Sequence, residues 1–290
     1  MDDPEHPTSA DALPYGVELT SLKSIHRLCD GSRTLFRVDR GGRLAEIIDV
    51  ERFAAGLPRN DGLEVPLPCP RHYAAHARAT SSGGHVCLVL SPNQEIKLFA
   101  NGVQAFTFAH GRWRMLDPAT KFASWVHAVG AEAVARPLFQ AALDLAESRQ
   151  GGLFVVVDRP EDAIGRLIAP DDILGNPGQV GPPPDLMPGD PLAKRALHYL
   201  ARGRRLADID SAILEALAGL DGALVVDRAG SLLAFGAILR HDVSSLPNTS
   251  AAEGARTTAA IVASRFGPVL KISEDGVISC FLGGLKAWDL

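Results

Sequence analysis

Short apolar runs that alternate with polar residues and end in turns fill the first third of the chain. Residues 34–38 lead through Asp39-Arg40-Gly41-Gly42 into 44–48, and 86–90 lead through Ser91-Pro92-Asn93-Gln94 into 95–99. Alternation on this scale with polar turns between the runs predicts β-hairpins. Phe106, Phe108 and Trp113 also alternate as in a strand, which predicts packing and not a ligand cage. The stretch from 57 through the proline-rich run 66–70 predicts an irregular loop. The period changes near Asp117-Pro118. From 119 to 150 the apolar positions Val134, Leu138, Phe139, Ala142 and Leu145 recur at helical spacing. Asp117 is the expected N-cap, with Pro118 in the first helical position, and Gly151-Gly152 is expected to end the helix. The continuous run 153–157 then predicts a buried central strand.

The same alternation continues to the end of the chain. Residues 210–220 predict an amphipathic helix with Ile213, Leu214 and Leu217 inward, running into a strand from Ala223. A hairpin is expected through Asp227-Arg228-Ala229-Gly230, a polar loop at 241–253 and a helix at 256–265. Strands are expected on either side of Ser273-Glu274-Asp275-Gly276. The strand–turn–strand units recur at irregular spacing, so they do not form a solenoid. The predicted organisation is a disordered tail at 1–13, a β-rich module at 14–118 and a second domain at 119–290 with a Pro/Gly-rich loop inserted at 176–191. The fold class expected is α/β (α+β), a mixed β-sheet flanked by helices and preceded by the β-rich module.

Composition narrows the function classes. The 290 residues are 46% hydrophobic and 22% charged, as in soluble globular proteins, and are enough for two modest domains. A net charge of −5 gives no global basic field for a nucleic acid polymer, although a local pocket can still hold a small anion. No apolar run approaches the roughly 18 residues that span a bilayer. The acidic start Met1-Asp2-Asp3-Pro4-Glu5-His6-Pro7 lacks the features of a signal peptide. Cys29, Cys69, Cys87 and Cys280 have no metal-ligand spacing, so reduced thiols and a cytoplasmic location are expected.

The candidate chemistry lies in the last third. Asp221-Gly222-Ala223 sits at a helix-to-strand junction, where glycine would let a ligand approach the backbone, although Asp-Gly is also a common turn dipeptide. Arg256 opens an Ala-rich helix and is followed by Thr257 and Thr258. An arginine at a helix N-terminus suits an anion. His72 and His76 stand at i, i+4 spacing, but two ligands without further context are a weak metal signal. There is no Gly-x-Ser-x-Gly elbow and no Gly-Lys-Ser/Thr phosphate loop.

Taken in order, these segments resemble the diadenylate cyclase domain, whose signatures are Asp-Gly-Ala and Arg-His-Arg. The resemblance runs from about Ala131 to Gly284. It rests on Gly152-Leu153-Phe154-Val155-Val156-Val157, Asp221-Gly222-Ala223, Gly236-Ala237-Ile238-Leu239, Gly254-Ala255-Arg256 and the Ser273 turn. The first signature is intact, whereas Thr257 and Thr258 stand where the family has histidine and arginine. Leu220, Ala255, Ala237 and Leu239 also depart from residues the family uses around its nucleotide. The N-terminal part, at 84–90 and 102–113, resembles the extension of bacterial proteins described as probable sensor domains related to these cyclases. The resemblance implies a nucleotide site formed by Gly222, Ala223, Ile238, Arg256, Thr257, Thr258 and Ser273. Asp221 would be the catalytic residue of an active enzyme, and Asp221 and Asp275 would be ligands for Mg or Mn. The expected ligand is ATP or a cyclic dinucleotide, with no polymeric nucleic acid and no membrane partner. Cyclases of this fold pair two sites face to face, so a homo-oligomer is compatible with it. The edited second signature favours a sensor over a nucleotidyltransferase making cyclic di-AMP from two ATP, and a ligand-free interaction module is the third alternative.

Overall fold

The computed structural model describes residues 13–58, 68–174, 194–240 and 254–290. The predicted tail up to residue 12, most of the loop at 59–67, the insertion at 176–191 and the polar loop at 241–253 lie outside the described residues. The chain forms two units, Met1–Leu116 and Asp117–Leu290.

In the first unit, strands β1 (Thr34–Val38) and β2 (Leu44–Asp49) pair as the expected hairpin. Helix α1 (Val50–Gly56) follows, with Asp49 as its cap, accepting from the Arg52 N–H. Helix α2 (Ala74–Ala79) packs with it through Val50, Ala54 and Ala79. Strands β3 (Val86–Leu90), β4 (Ile96–Ala100), β5 (Val103–Ala109) and β6 (Arg112–Met115) make an antiparallel sheet in sequence order. One face of that sheet buries Val89 and Phe99 against Tyr73 and Ala77. His76 belongs to this packing. Its ring lies 5.5 Å from that of Tyr73 and 5.9 Å from that of Phe99.

The second unit is a mixed α/β layer structure. Strands β7 (Gly152–Val157), β8 (Ala223–Asp227), β9 (Leu232–Ala237), β10 (Val269–Ile272), β11 (Ile278–Leu282) and β12 (Leu285–Asp289) form one sheet in the order β12-β11-β10-β7-β8-β9. Only β7 and β8 are parallel. Both are interior and covered on both faces, which is why they read as unbroken apolar runs. Phe154, Val156, Leu224 and Val226 face one core, with helices α3 (Pro118–Val129), α4 (Glu132–Glu147), α5 (Lys194–Ala201) and α6 (Ser211–Ala218) on that side. Leu153, Val155, Val157, Ala223 and Val225 face the other core, shared with helix α7 (Ala255–Ala263) and with Leu167 and Ile168.

Three sequence expectations change here. The helix expected across 119–150 is two helices, because Gly130 takes the left-handed conformation (φ 77°) and ends α3. The buried Trp125 indole donates to the Ala135 carbonyl at 3.0 Å and ties the two together. Gly151-Gly152 does not end α4. The chain leaves the helix at Ser148 and turns at Arg149 (φ 56°), and Gly152 is already strand. In α6, Leu214 and Ala218 define the buried line one turn apart, so Ile213 points outward and is 56% exposed. The Asp117 cap is as expected, accepting from the Thr120 N–H at 3.1 Å.

Candidate functional site

Because β7 and β8 are parallel, both begin at one edge of the sheet. The antiparallel neighbours end there: Ile272 of β10 pairs with Gly152, and Ala237 of β9 pairs with Ala223. Phe154 pairs with Leu224, and the same offset carried back to the strand starts sets Gly151 beside Asp221. Topology thus gathers the Asp221 junction, the Ser273 turn and residue 238 along one edge.

Helix α7 starts at the same edge. Its cap residue Gly254 offers no side chain, so no capping bond is made. The Arg256 guanidinium lies flat against Gly151, where a β-carbon would stand 2.3 Å from Nη1. The same Nη1 donates to Glu274 Oε1 at 3.0 Å, an ion pair whose side chains are 42% and 73% exposed. At the next residue, the Thr257 hydroxyl accepts from Lys271 Nζ at 3.1 Å. Lys271 projects from the α7 face of β10 because strand alternation sends Leu270 and Ile272 to the opposite core. The edge therefore carries Arg256 on a helix start and Lys271 behind it, with an exposed carboxylate resting on the first, and Arg149 lies against Gly276 of the Ser273 turn.

The expected site residues divide. Asp221 is exposed at the edge, and Ile238 is exposed just past the end of β9. Thr257 and Thr258 are half-buried in the first turn of α7, and both N–H groups bond the Gly254 carbonyl. Ala223 is different, being buried in the core at 1% exposure, so its side chain is not open to a ligand. Gly222 is also used differently from the expectation. At φ 110°, a β-carbon there would stand 2.5 Å from the carbonyl carbon of Gly236, so the closely approaching group is the protein's own β9 backbone. Ser273 closes its turn by bonding Val277, accepting in turn from Gly276, and Asp275 Oδ1 accepts from the Val277 N–H at 3.3 Å. Among the described residues no group of three or more His, Cys, Asp or Glu is placed to hold a metal ion. Lys271, Glu274 and Gly151 were not anticipated. The signal for Lys271 was legible, as a single charge inside an otherwise apolar strand.

In open parallel α/β sheets ligands usually sit at the carboxyl ends of strands. Here the charges at that end are committed to structure. Arg228, following β8, bonds Asp158 through Nε at 2.9 Å and Nη2 at 2.7 Å, and its Nη1 bonds the Ala128 and Val129 carbonyls. The opposite edge, where Arg256 pairs with an exposed carboxylate among the described residues, is the better anion site.

No protein-family model matches the chain, and no curated protein matches it. Solved structures do. A hypothetical membrane spanning protein from Bacillus cereus is 19% identical over 57% of this chain and 69% of its own, with a TM-score of 0.38. A double mutant of DacA from Staphylococcus aureus, a diadenylate cyclase, is 21% identical over 55% of this chain and 87% of its own, with a TM-score of 0.33. No helix among the described residues is long and apolar enough to cross a membrane. What the chain has, from its own topology, is a mixed α/β fold with a helix-flanked sheet.

Proposed function

We propose that the second unit binds a nucleotide, of the ATP or cyclic dinucleotide class, at the amino edge of β7 and β8, and acts as a sensor. The observation that carries this reading is the Arg256 guanidinium seated over Gly151 at the start of α7, with the exposed Glu274 carboxylate occupying it as an anion would. A phosphate replacing that carboxylate gains the guanidinium and the helix N-terminus together. Lys271, holding Thr257 from behind, adds positive charge without spending a ligand-facing group of its own. Asp221, exposed one strand away by register, is the acceptor for a ribose hydroxyl. Mg or Mn accompanying a nucleotide is held by one or two carboxylates plus phosphate oxygens. Asp221 and Asp275, both on this edge, are the carboxylates proposed for it, and binding by Arg256 needs no metal.

Sensing is favoured over synthesis because Thr257 and Thr258 are neutral. Stabilising a transferring phosphate relies on preorganised charge, and these positions provide hydroxyls only. The test is calorimetry with ATP and with cyclic di-AMP, each with and without Mn. Arg256→Ala is expected to weaken binding by about 1.5–3 kcal/mol, the value of a charge-assisted hydrogen bond. The fold should survive, since an exposed ion pair contributes roughly 0–1 kcal/mol. Binding by neither ligand, or binding indifferent to Arg256→Ala, would overturn the reading. Incubation with ATP and Mn followed by mass spectrometry separates the alternative, since turnover abolished by Asp221→Asn would make the protein a cyclase.

A further inference from the structure

Among the described residues, the sheet of the first unit has one face packed by α2 and one face without a helix. Cross-strand register sets two apolar rows on the open face. Leu88, Leu98, Phe106 and Met115 lie side by side across the four strands, and Leu90, Ile96, Phe108 and Trp113 form the next row. Leu88, Leu90, Trp113 and Met115 are each more than half exposed in the chain. The Phe108 and Trp113 rings sit 5.2 Å apart and hold the second row together. No charged or polar side chain falls in either row. Alternation sends Lys97, Arg112 and Arg114 to the other side.

We propose that this face is the contact between two copies of the chain. Leu88, Leu90, Phe106, Trp113 and Met115, with Val86 on the same face of β3 by alternation, are exposed enough to offer on the order of 100 Å² of apolar surface each, about 600 Å² per copy. That reaches the top of the range of about 300–600 Å² for the largest apolar patch on a monomer. Doubled in a symmetric pair, it reaches about 1,200 Å², the lower limit for a specific interface. The occupant has to be uncharged and must follow the twist of a sheet, and an identical sheet does both, packing face to face at about 10 Å. A two-fold contact of like surfaces also closes at two copies and does not propagate. Strand-against-strand association is opposed at the β6 edge by Arg112 and Arg114, and the β3 edge, which carries no charge, is the alternative route that the substitutions below distinguish. A contact at the small end of specific interfaces fits a reversible dimer that dissociates in the micromolar range, independent of nucleotide.

Sedimentation velocity of the full chain, from low to high micromolar, tests this. The expected result is a monomer–dimer equilibrium without larger species. Leu88→Glu should weaken the dimer at least ten-fold, as loss of an interface anchor does. Its far-ultraviolet circular dichroism and melting temperature should match the parent, because Leu88 is exposed. Met115→Gln, at a site 79% exposed, serves if Leu88→Glu does not fold, and should weaken the dimer in the same sense. A monomer at every concentration overturns the proposal. So does a dimer unmoved by both substitutions, which would place the contact elsewhere, or open-ended association.

Discussion

A β-carbon at position 151 would stand 2.3 Å from Nη1 of Arg256, and one at 222 would stand 2.5 Å from the carbonyl carbon of Gly236. The first clash is with the end of a flexible side chain and the second with backbone. Gly151→Ala is therefore expected to displace Arg256 and reduce nucleotide affinity about as Arg256→Ala does, while melting stays within a few degrees of the parent. Gly222→Ala adds strain at φ 110° to a backbone clash and should cost about 2 kcal/mol or more, visible as a drop of several degrees in melting temperature. Position 222 was legible from sequence as one that requires glycine, but its reason was not, because the neighbour that fills the space comes from another strand. His76 makes a second case at this scale. Neither ring nitrogen makes a hydrogen bond of good geometry, and burial pushes its pKa below the ordinary 6.5, with the nearby Asp30 pulling the other way. The unfolded chain then binds the proton more readily than the folded one. The contribution to stability is complete above about pH 6.5 and is lost as pH falls from there toward the lowered folded value. Melting of the first unit between pH 7.5 and 5.5 should fall, and His76→Leu should flatten that dependence in about the same window.

Elements were legible where local chemistry decides them. Asp117-Pro118, the Asp210 start of α6, whose carboxylate accepts from the Ala212 N–H at 2.8 Å, and the paired hairpins all follow from neighbours in sequence. Asp210→Ala should cost about 1 kcal/mol, read from the melting of the second unit, as removal of an N-cap usually does. What sequence did not resolve was where one long periodic segment breaks. Residues 119–150 keep helical spacing across Gly130, so periodicity alone runs through a break that one left-handed residue makes. Strand β12 was likewise unanticipated, although Gly283-Gly284, with φ of 58° and 89°, is a hairpin turn of the kind two glycines favour. The candidate site lay between these limits. Its arginine and aspartate were visible as motifs, whereas Lys271 and Glu274 joined it only through the pairing of β10 with β7 and the descent of α7 to the same edge.

At the scale of the whole molecule, each unit carries a shielded thiol, half-buried at Cys87 and buried at Cys280. Burial pushes Cys87 of the first unit up to about 11 and Cys280 of the second up to about 12, so neither is a thiolate at neutral pH. A thiol reagent should leave both untouched in the native chain. During unfolding, peptide mapping of the labelled cysteines should report each unit by its own residue, and labelling of Cys280 in the native protein would contradict its burial. The Glu274 carboxylate on Arg256 has a further effect at this scale. It is a competitor attached to the chain, present at constant effective concentration whatever the ligand level. If that exposed pair is worth about 0.5 kcal/mol, Arg256 is open roughly a third of the time, and the apparent dissociation constant is raised about three-fold. Glu274→Gln should tighten binding by that factor in calorimetry. The residue would then act as a set-point, fixing the nucleotide concentration at which the protein begins to respond.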